Sequence, residues 1–371
     1  MLTSIIILTH NQLAYTKACI SSIRSHTTKE KYELIIVDNA SIDGTVEWIK
    51  TQSDIILIQN SENIGFPAGC NQGIRKSKGN NILLLNNDVV VTKNWLTNLL
   101  NCLYSGENIG AVGPVTNYAS YASTIPVSYN NLNEMQKFAA NHNQIDMNKW
   151  EERLKLIGFC MLIKRKILDE IGLLDERFTP GNFEDDDLSI RILQHGYKLY
   201  LCRDTFVHHY GSISWKENIP IFSKILDLNS QKFKEKWSFN AEKLSIYYEI
   251  LSKIEPYIKD YINLLHVGAG CGATLLALKQ RYPNVYVYGV ENNSHAARLS
   301  NQVAPTVQSE YEHLQDIYPK KKFDIVLLTA PIPKVKLNLL VNSIESILTS
   351  NGIMMLSQEN SQNYTELQNE N

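Results

Sequence analysis

Short apolar runs alternate with amphipathic stretches through the N-terminal part of the chain. The apolar runs predict strands, and the stretches with apolar residues three and four positions apart predict helices. A regular alternation of strands and helices indicates an α/β fold with a parallel, doubly wound sheet. The predicted strands lie near residues 4–9, 33–38, 55–59 and 82–86, and the predicted helices near residues 12–26, 44–52 and 67–77.

The pattern changes after the fourth predicted strand. Residues 104–147 are rich in Asn, Tyr and Ser and poor in periodicity, which predicts a variable segment with mobile loops. Regular structure is expected again in a helix at residues 165–172, where Gly172 suits a C-cap. A further predicted helix at residues 219–237 closes the first domain.

The chain has 371 residues, which is long for one domain. We therefore predict a first domain at residues 1–240 and a second domain at residues 241–371. The polar residues 359–371 at the end of the second domain predict a disordered tail.

A glycine-rich turn marks the second domain. A predicted strand leads into Gly268, Gly270 and Gly272, and the next predicted strand ends in Glu291. Glycines in such a turn let the backbone approach a ligand closely, and an acid at the position of Glu291 is able to hold both hydroxyls of a ribose. The predicted strands of this domain are residues 261–267, 285–290 and 323–328.

Composition narrows the classes of function. Lys and Arg number 36 and Asp and Glu number 38, so the formal charge of −2 argues against nucleic acid as a partner. We expect neither a signal peptide nor a transmembrane span, because the apolar run at residues 4–8 is short and no run approaches the length of a span. Its six cysteines are scattered and form no CxxC pair, which argues against zinc and disulfides. These features predict a cytoplasmic protein, with peripheral contact at the inner face of the membrane left open.

Three polar clusters lie at the ends of predicted apolar elements. The acidic run at residues 184–187 precedes a predicted helix, whose dipole favours anions at that end. Asp88, which follows two asparagines at the end of a strand, suits a hard divalent cation that keeps phosphate oxygens as ligands. His208 and His209 form the third cluster. The alternatives are an ordinary acidic helix turn, a polar strand-end turn and surface imidazoles.

Taken in order, these clusters and four further motifs resemble the family 2 glycosyltransferases of the GT-A fold, in the rhamnosyltransferase-like branch. No single motif is decisive, but their shared order along the chain is specific. The motifs that carry the resemblance are residues 4–11 (SIIILTHN), 34–45 (LIIVDNASIDGT), 63–73 (NIGFPAGCNQG), 86–88 (NND), 158–161 (GFCM), 184–187 (EDDD) and His208.

The resemblance implies a role for each matched residue. Asp185 would be the catalytic base, and Asp88 and His208 would bind Mn²⁺ or Mg²⁺, with His209 the less favoured of the two histidines. Asn86 stands where the first acid of the family's DxD motif would stand, which removes one negative charge from the metal site. The acceptor site would include Glu184, Asp187, Gly158 and Trp215. The nucleotide-sugar site would include Thr9, Asn11, Asp38, Asn39, Asn63, Gly65, Phe66, Asn71, Asn87 and Asp88, with Asp38 on the base.

The implied reaction is transfer of a sugar, with inversion, from a UDP- or dTDP-sugar donor to a saccharide, lipid-linked or glycoconjugate acceptor in glycan synthesis. The second domain resembles the Rossmann-like class I methyltransferases that bind S-adenosylmethionine, although it is shorter than such domains usually are. A degenerate or purely structural module is the alternative for this domain. Gly268, Gly270, Gly272 and Glu291 would then contact that cofactor. Two alternatives remain: a bifunctional glycosyltransferase and methyltransferase, and a non-catalytic carbohydrate-binding scaffold. Homo-oligomerisation is left open as well.

Overall fold

The computed structural model describes residues 1–211, 219–258, 261–330 and 333–357. It divides into two compact units, Met1–Phe233 and Lys234–Asn371. The division falls inside the helix at Ile219–Trp237, before the boundary predicted from the sequence. Among the described helices, none combines the length and the apolar character needed to cross a membrane. All six cysteines are free and buried.

The first unit is an α/β sandwich around one large sheet. The sheet has eight strands in the order β3-β2-β1-β4-β8-β6-β9-β7, and a separate two-stranded sheet pairs β5 with β10. The strands are β1 (Thr3–Thr9), β2 (Tyr32–Asn39), β3 (Ile55–Asn60), β4 (Asn81–Asn86), β5 (Val89–Val90), β6 (Ile109–Val115), β7 (Trp150–Arg153), β8 (Cys160–Lys164), β9 (Lys198–Phe206) and β10 (His208–His209). The helices are α1 (Leu13–His26), α2 (Thr45–Lys50), α3 (Phe66–Lys76), α4 (Trp95–Leu103), α5 (Leu132–His142), α6 (Arg165–Ile171), α7 (Glu184–Gln194) and α8 (Ile219–Trp237).

The predicted strands and helices of the N-terminal half are confirmed. Strand β1 pairs in parallel with β2 and β4, so the carboxyl ends of these three strands lie at one edge of the sheet. Helix α3 packs closely against β1, because a methyl group built on Gly73 would lie only 2.5 Å from Ile6 Cγ2. This close packing fixes the N-terminus of α3 at the same edge of the sheet.

Residues 104–147 contain more regular structure than the sequence predicts. Strand β6 lies within this segment and is buried along its whole length between β8 and β9. Helix α5 follows it and begins at Asn131, whose side chain accepts a bond from the amide of Glu134. The prediction failed at β6 because a strand of small residues buried on both faces shows no alternation of apolar and polar positions.

The second unit contains a five-stranded parallel sheet in the order β13-β12-β11-β14-β15. The three predicted strands are present, and β15 adds a further strand at one edge. The strands are β11 (Ile262–Val267), β12 (Val285–Glu291), β13 (Thr306–Gln308), β14 (Phe323–Leu328) and β15 (Leu348–Leu356). The helices are α9 (Tyr248–Ile254), α10 (Ala273–Arg281), α11 (Ser294–Val303), α12 (Leu314–Ile317) and α13 (Lys334–Ile347). The predicted disordered tail lies outside the described residues.

Candidate active site

A cleft of about 750 Å³ opens at the carboxyl ends of β1, β2 and β4. Its volume is typical of small-molecule sites, and its position is the one where open α/β sheets bind ligands. The cleft brings together many of the residues singled out in the sequence. Those predicted residues that line it are Thr9, Asn39, Asn63, Gly65, Phe66, Asn87, Asp88, Gly158, Glu184 and Asp185.

His209 stands beside Asp88 in the cleft. The two-stranded ladder sets His209 opposite Val89, and its Nε2 lies 3.2 Å from Asp88 Oδ1. Its Nδ1 lies 2.8 Å from the carbonyl oxygen of Tyr118, so Nδ1 carries the proton and donates. In the neutral imidazole, the lone pair of Nε2 faces the carboxylate, and Nε2 is buried without a hydrogen-bond partner. Two electron-pair donors that face each other in this way would be stabilised by a cation.

His208 lies on the opposite side of strand β10. Its Nδ1 pairs with the hydroxyl of Tyr129 at 2.7 Å, and burial lowers the pKa of this histidine. Successive side chains of a strand point to opposite faces, so only one of two adjacent histidines faces Asp88. The expectation that His208 binds the metal, with His209 the less favoured of the two, stays a prediction, but in this structure the histidine whose Nε2 lies beside Asp88 is His209.

The residues around Asp88 fit a divalent cation that takes only part of its coordination from the protein. Ligand atoms on one ion lie roughly 3 Å apart when each bond is about 2.1 Å long, which is close to the separation of Asp88 Oδ1 and His209 Nε2. Among the described residues, no group of three or more His, Cys, Asp or Glu side chains is placed to hold a metal. The remaining ligands would come from water and from a diphosphate, as in sites where substrate phosphates complete the shell.

Asp185 is held in the cleft by backbone amides. Its Oδ2 accepts a bond of 3.0 Å from the amide of Gly158, and its Oδ1 accepts one of 2.9 Å from the amide of Asp186. Burial raises the pKa of Asp185, while the amide of Gly158 and the charge of Lys155 oppose that rise. The result is a carboxylate of fixed orientation with increased basicity, which suits a general base.

Glu184 also faces the cleft, but its carboxyl group has fewer hydrogen-bond partners than that of Asp185. Its side chain is buried, and its Oε2 has no hydrogen-bond partner. Burial, followed by the charge of Asp185, raises the pKa of Glu184 well above its usual range. A buried carboxyl group with a spare oxygen is placed to bind a hydroxyl group that enters the cleft.

The other two acids of the run are paired with cations. Asp186 forms a buried ion pair of 3.1 Å with Lys155, and fully buried Asp187 forms one of 2.9 Å with Arg191. Arg191 also donates to the carbonyl groups of Ile171, Gly172 and Leu173. Asp187 does not line the cleft. The expectation that it belongs to the acceptor site is therefore corrected: it joins α7 to the end of α6.

Asp38, the residue expected to contact the nucleotide base, is fully buried. Its Oδ2 accepts bonds from the hydroxyls of Thr9 and Ser41, and its Oδ1 accepts one from the amide of Ser41. Asn11 extends this network, because its side-chain oxygen accepts a bond of 2.8 Å from the amide of Ile42. In this arrangement Asp38 orders the loop after β2, and contact with a base stays a prediction.

A second polar network orders the loop before α3. The side-chain amide of Asn39 donates to Asn63 Oδ1 at 3.1 Å, and the same oxygen accepts a bond of 3.0 Å from the amide of Gly65. Asn87 lies across the cleft and donates to the hydroxyl of Thr16 at 3.1 Å. Asn71 is not part of the cleft lining. Its side chain is instead bonded to the backbone of Leu174.

Several cleft residues were not predicted to form the site. Phe159 stacks on the ring of His209, with centroids 5.1 Å apart and an interplanar angle of 14°. His10 Nδ1 lies 2.6 Å from the carbonyl oxygen of Asn39, and Tyr15 also lines the cleft. Phe159 and His10 lie inside the quoted motifs, so the signal for them was present. Trp215 lies outside the described residues.

The glycine-rich turn of the second unit has the expected backbone. Gly268, Gly270 and Gly272 have φ values of +81°, +56° and +92°. The carboxylate of Glu291 is fully buried at the end of β12 and accepts bonds from the amides of Gly270 and Asn293. These residues are gathered at one place, as the sequence predicts.

Comparison with known proteins finds one family-model match in each unit. The family model for glycosyl transferase family 2 matches residues 4–172, and a model for a methyltransferase domain matches residues 265–356. The chain is 28% identical over 229 residues to the low-salt glycan biosynthesis hexosyltransferase Agl10 of Haloferax volcanii, covering 59% of this chain and 72% of that protein. It is 25% identical over 255 residues to the uncharacterised glycosyltransferase YfnE of Bacillus subtilis, covering 56% of this chain.

The chain spans 64% of the length of YfnE, which is less than two thirds. A solved mannosyltransferase from Pyrobaculum calidifontis, in complex with GDP-Man and Mn²⁺, aligns with a TM-score of 0.47 and 17% identity over 75% of this chain and 73% of that one. The two family matches, each on its own unit, agree with the order of the motifs and with the two α/β folds. Residues 4–172 thus match the model for glycosyl transferase family 2, and residues 265–356 match a model for a methyltransferase domain.

Proposed function

We propose that the first unit transfers a sugar, with inversion, from a nucleoside-diphosphate donor to a hydroxyl group of a saccharide or glycoconjugate acceptor. The observation that carries the proposal is that Asp88, His209 and Asp185 line one cleft. Asp88 and His209 offer a cation two ligands, and Asp185 offers a base. Inversion rests on the family resemblance. The alternative of a non-catalytic scaffold does not explain why both groups are retained.

In this mechanism Asp185 accepts the proton of the acceptor hydroxyl as that oxygen attacks the anomeric carbon. The amide of Gly158 holds the carboxylate in position, and the raised pKa of Asp185 makes it a stronger base. Such general-base assistance is worth about 10²- to 10⁴-fold in rate. When bound at Asp88 and His209, a divalent metal such as Mn²⁺ or Mg²⁺ would supply Lewis-acid stabilisation of the departing diphosphate.

The donor and the acceptor are finer questions. UDP- and dTDP-sugars are both candidate donors, since Asp38 could accept a bond from the N–H of either pyrimidine. That contact would require the loop after β2 to open, because Asp38 is fully buried. The names of the relatives favour a hexosyl donor and a role in glycan synthesis, since Agl10 is called a low-salt glycan biosynthesis hexosyltransferase. A lipid-linked acceptor would have to be met at a membrane surface.

Calorimetric titration of the full chain with UDP, dTDP and GDP, each with and without Mn²⁺, tests the proposal. We expect one nucleotide to bind in a metal-dependent way, and Asp88→Asn to remove that dependence. Asp169→Asn is the matched control, because Asp169 is exposed on α6, outside the cleft. If no nucleotide binds in the presence of metal, the proposal is wrong and the scaffold alternative gains support.

A further inference from the structure

A short stretch before α9 lies against the glycine-rich turn of the second unit. Its first part is the 3₁₀ turn Ala241–Leu244. The amide of Cys271 donates to the carbonyl oxygen of Lys243 at 2.8 Å, and a methyl group built on Gly270 would lie 2.7 Å from the same oxygen. The missing side chain at Gly270 therefore makes room for this chain's own backbone, at the place where a glycine turn otherwise admits a ligand.

The side chain of Lys243 forms an ion pair with Glu291, the acid at the end of β12. Its Nζ lies 2.7 Å from Glu291 Oε1. The amides of Gly270 and Asn293 donate to the same carboxylate, which is fully buried. An ionised carboxylate accepts about four hydrogen bonds, and three donors of this chain already use most of them. The two hydroxyls of a ribose would have to displace the ammonium group.

The contact continues beyond Lys243. The amide of Tyr247 donates to the hydroxyl of Thr274 at 3.0 Å, close to the start of α10. The ring of Tyr247 lies edge-on to His266, with centroids 6.0 Å apart. His266 is fully buried, and burial lowers its pKa to about 3, so it is neutral and adds no charge to the site. The stretch is thus fixed at the turn, at the acid and at the next helix.

We propose that residues 241–247 occupy the nucleoside site of the methyltransferase domain and hold it closed, so that the resting chain takes up no S-adenosylmethionine. Lys243 is the central contact, because its backbone fills the glycine turn and its side chain neutralises Glu291. The arrangement does not fit the cofactor that the family match implies, and we derive no methyl transfer from it. The proposal is independent of the glycosyl transfer proposed for the first unit.

Equilibrium dialysis of the full chain against radiolabelled S-adenosylmethionine tests the closure. We expect no saturable binding by the wild-type chain up to about 1 mM. In Lys243→Glu, two carboxylates would face each other, and the like charges would expel the stretch. We expect that variant to bind the cofactor at least about tenfold more tightly than wild type. Lys253→Glu is the matched control, since it makes the same charge change at an exposed lysine of the same unit.

Two results would overturn the proposal. The first is saturable binding by the wild-type chain, which would mean that the site is open. The second is a folded Lys243→Glu variant that still fails to bind, which would mean that the site is absent and not closed. Hydrogen exchange of the wild-type chain provides a test that needs no variant. We expect the amides of Gly270 and Cys271 to be protected without ligand, and exchange at the rate of an exposed amide would refute the contact.

Discussion

Replacement of His209 by phenylalanine separates the metal function of this residue from its role in packing. Phenylalanine keeps a planar ring against Phe159, where the two rings are now stacked 5.1 Å apart. It removes Nε2, the atom that lies 3.2 Å from Asp88 Oδ1. It also removes the bond from Nδ1 to the carbonyl oxygen of Tyr118. His209→Phe is therefore expected to act on the cation site with little change in shape.

Two magnitudes follow from this geometry. Loss of even an outer partner of a metal ligand typically lowers metal affinity by about 10- to 100-fold, so loss of one of two protein ligands should cost at least that much. Without metal the balance is different. Nε2 is now buried without a partner, which costs about 1–3 kcal/mol, and phenylalanine relieves that cost. The lost bond to Tyr118 is worth about 1 kcal/mol. We therefore expect the metal-free variant to be at least as stable as wild type.

The assay is calorimetric titration of the preferred nucleotide at a series of Mn²⁺ concentrations, together with thermal unfolding without metal. His208→Phe is the matched control, because the Nδ1 of His208 pairs with the hydroxyl of Tyr129, whereas the ion pair with Asp88 is made by His209. We expect His209→Phe to need at least about tenfold more Mn²⁺ for half-maximal binding, and His208→Phe to resemble wild type. Equal metal dependence of the two variants, or a larger effect in His208→Phe, would refute the assignment of His209.

The acidic run at the start of α7 yields three further predictions. Asp185→Asn should lower turnover by about 10²- to 10⁴-fold while nucleotide affinity is kept. The wild-type rate should fall as pH decreases through the raised pKa of Asp185. Initial rates measured across pH check both expectations, and an unchanged rate in Asp185→Asn would refute the assignment of Asp185 as the base. Glu184→Gln should raise the unfolding temperature at pH 8 and leave it nearly unchanged at pH 4. The reason is that the pKa of Glu184 is raised in the folded state. The protonated side chain is therefore no burden below the unfolded-state pKa of about 4.3, and stability is lost as pH rises from there through the folded-state pKa. A variant less stable than wild type at pH 8 would contradict this reading. Asp187→Asn should cost about 3 kcal/mol of stability, because it breaks a buried ion pair with Arg191, and should keep turnover per folded molecule. Denaturant unfolding and active-site titration distinguish this from a role in the acceptor site.

Local patterns predicted the elements that carry the site. The strands that end at Thr9, Asn39 and Asn86 are apolar runs between polar turns, and they occur where the sequence predicts them. The order of the motifs predicted the match to glycosyl transferase family 2, and the glycine-rich turn together with Glu291 predicted the match to a methyltransferase domain. The pairing of Asp187 with Arg191 was also readable, since an acid and a base four residues apart in a helix face each other.

Non-local contacts limited the rest. The choice between His208 and His209 depends on the pairing of two residues with Val89 and Val90, more than a hundred positions away, and no local pattern encodes that register. The same holds for Lys243, which meets Glu291 across 48 residues of sequence. A glycine turn followed by an acid looks the same in the sequence whether its partner is a ribose or a lysine.

The four consecutive acids of α7 show how the fold assigns different tasks to like charges. Each residue of a helix is turned by about 100° from the one before it, so four neighbouring carboxylates cannot all face one cleft. Asp186 and Asp187 point into the protein, where Lys155 and Arg191 neutralise them. Glu184 and Asp185 face the cleft, and among the described residues no cation forms an ion pair with either of them. The pKa of each is raised, which destabilises the charged form of the resting protein. That cost is explained if both acids act on groups that arrive with the substrate. A substrate hydroxyl would donate a hydrogen bond to Glu184, and Asp185 would take the proton of the acceptor hydroxyl.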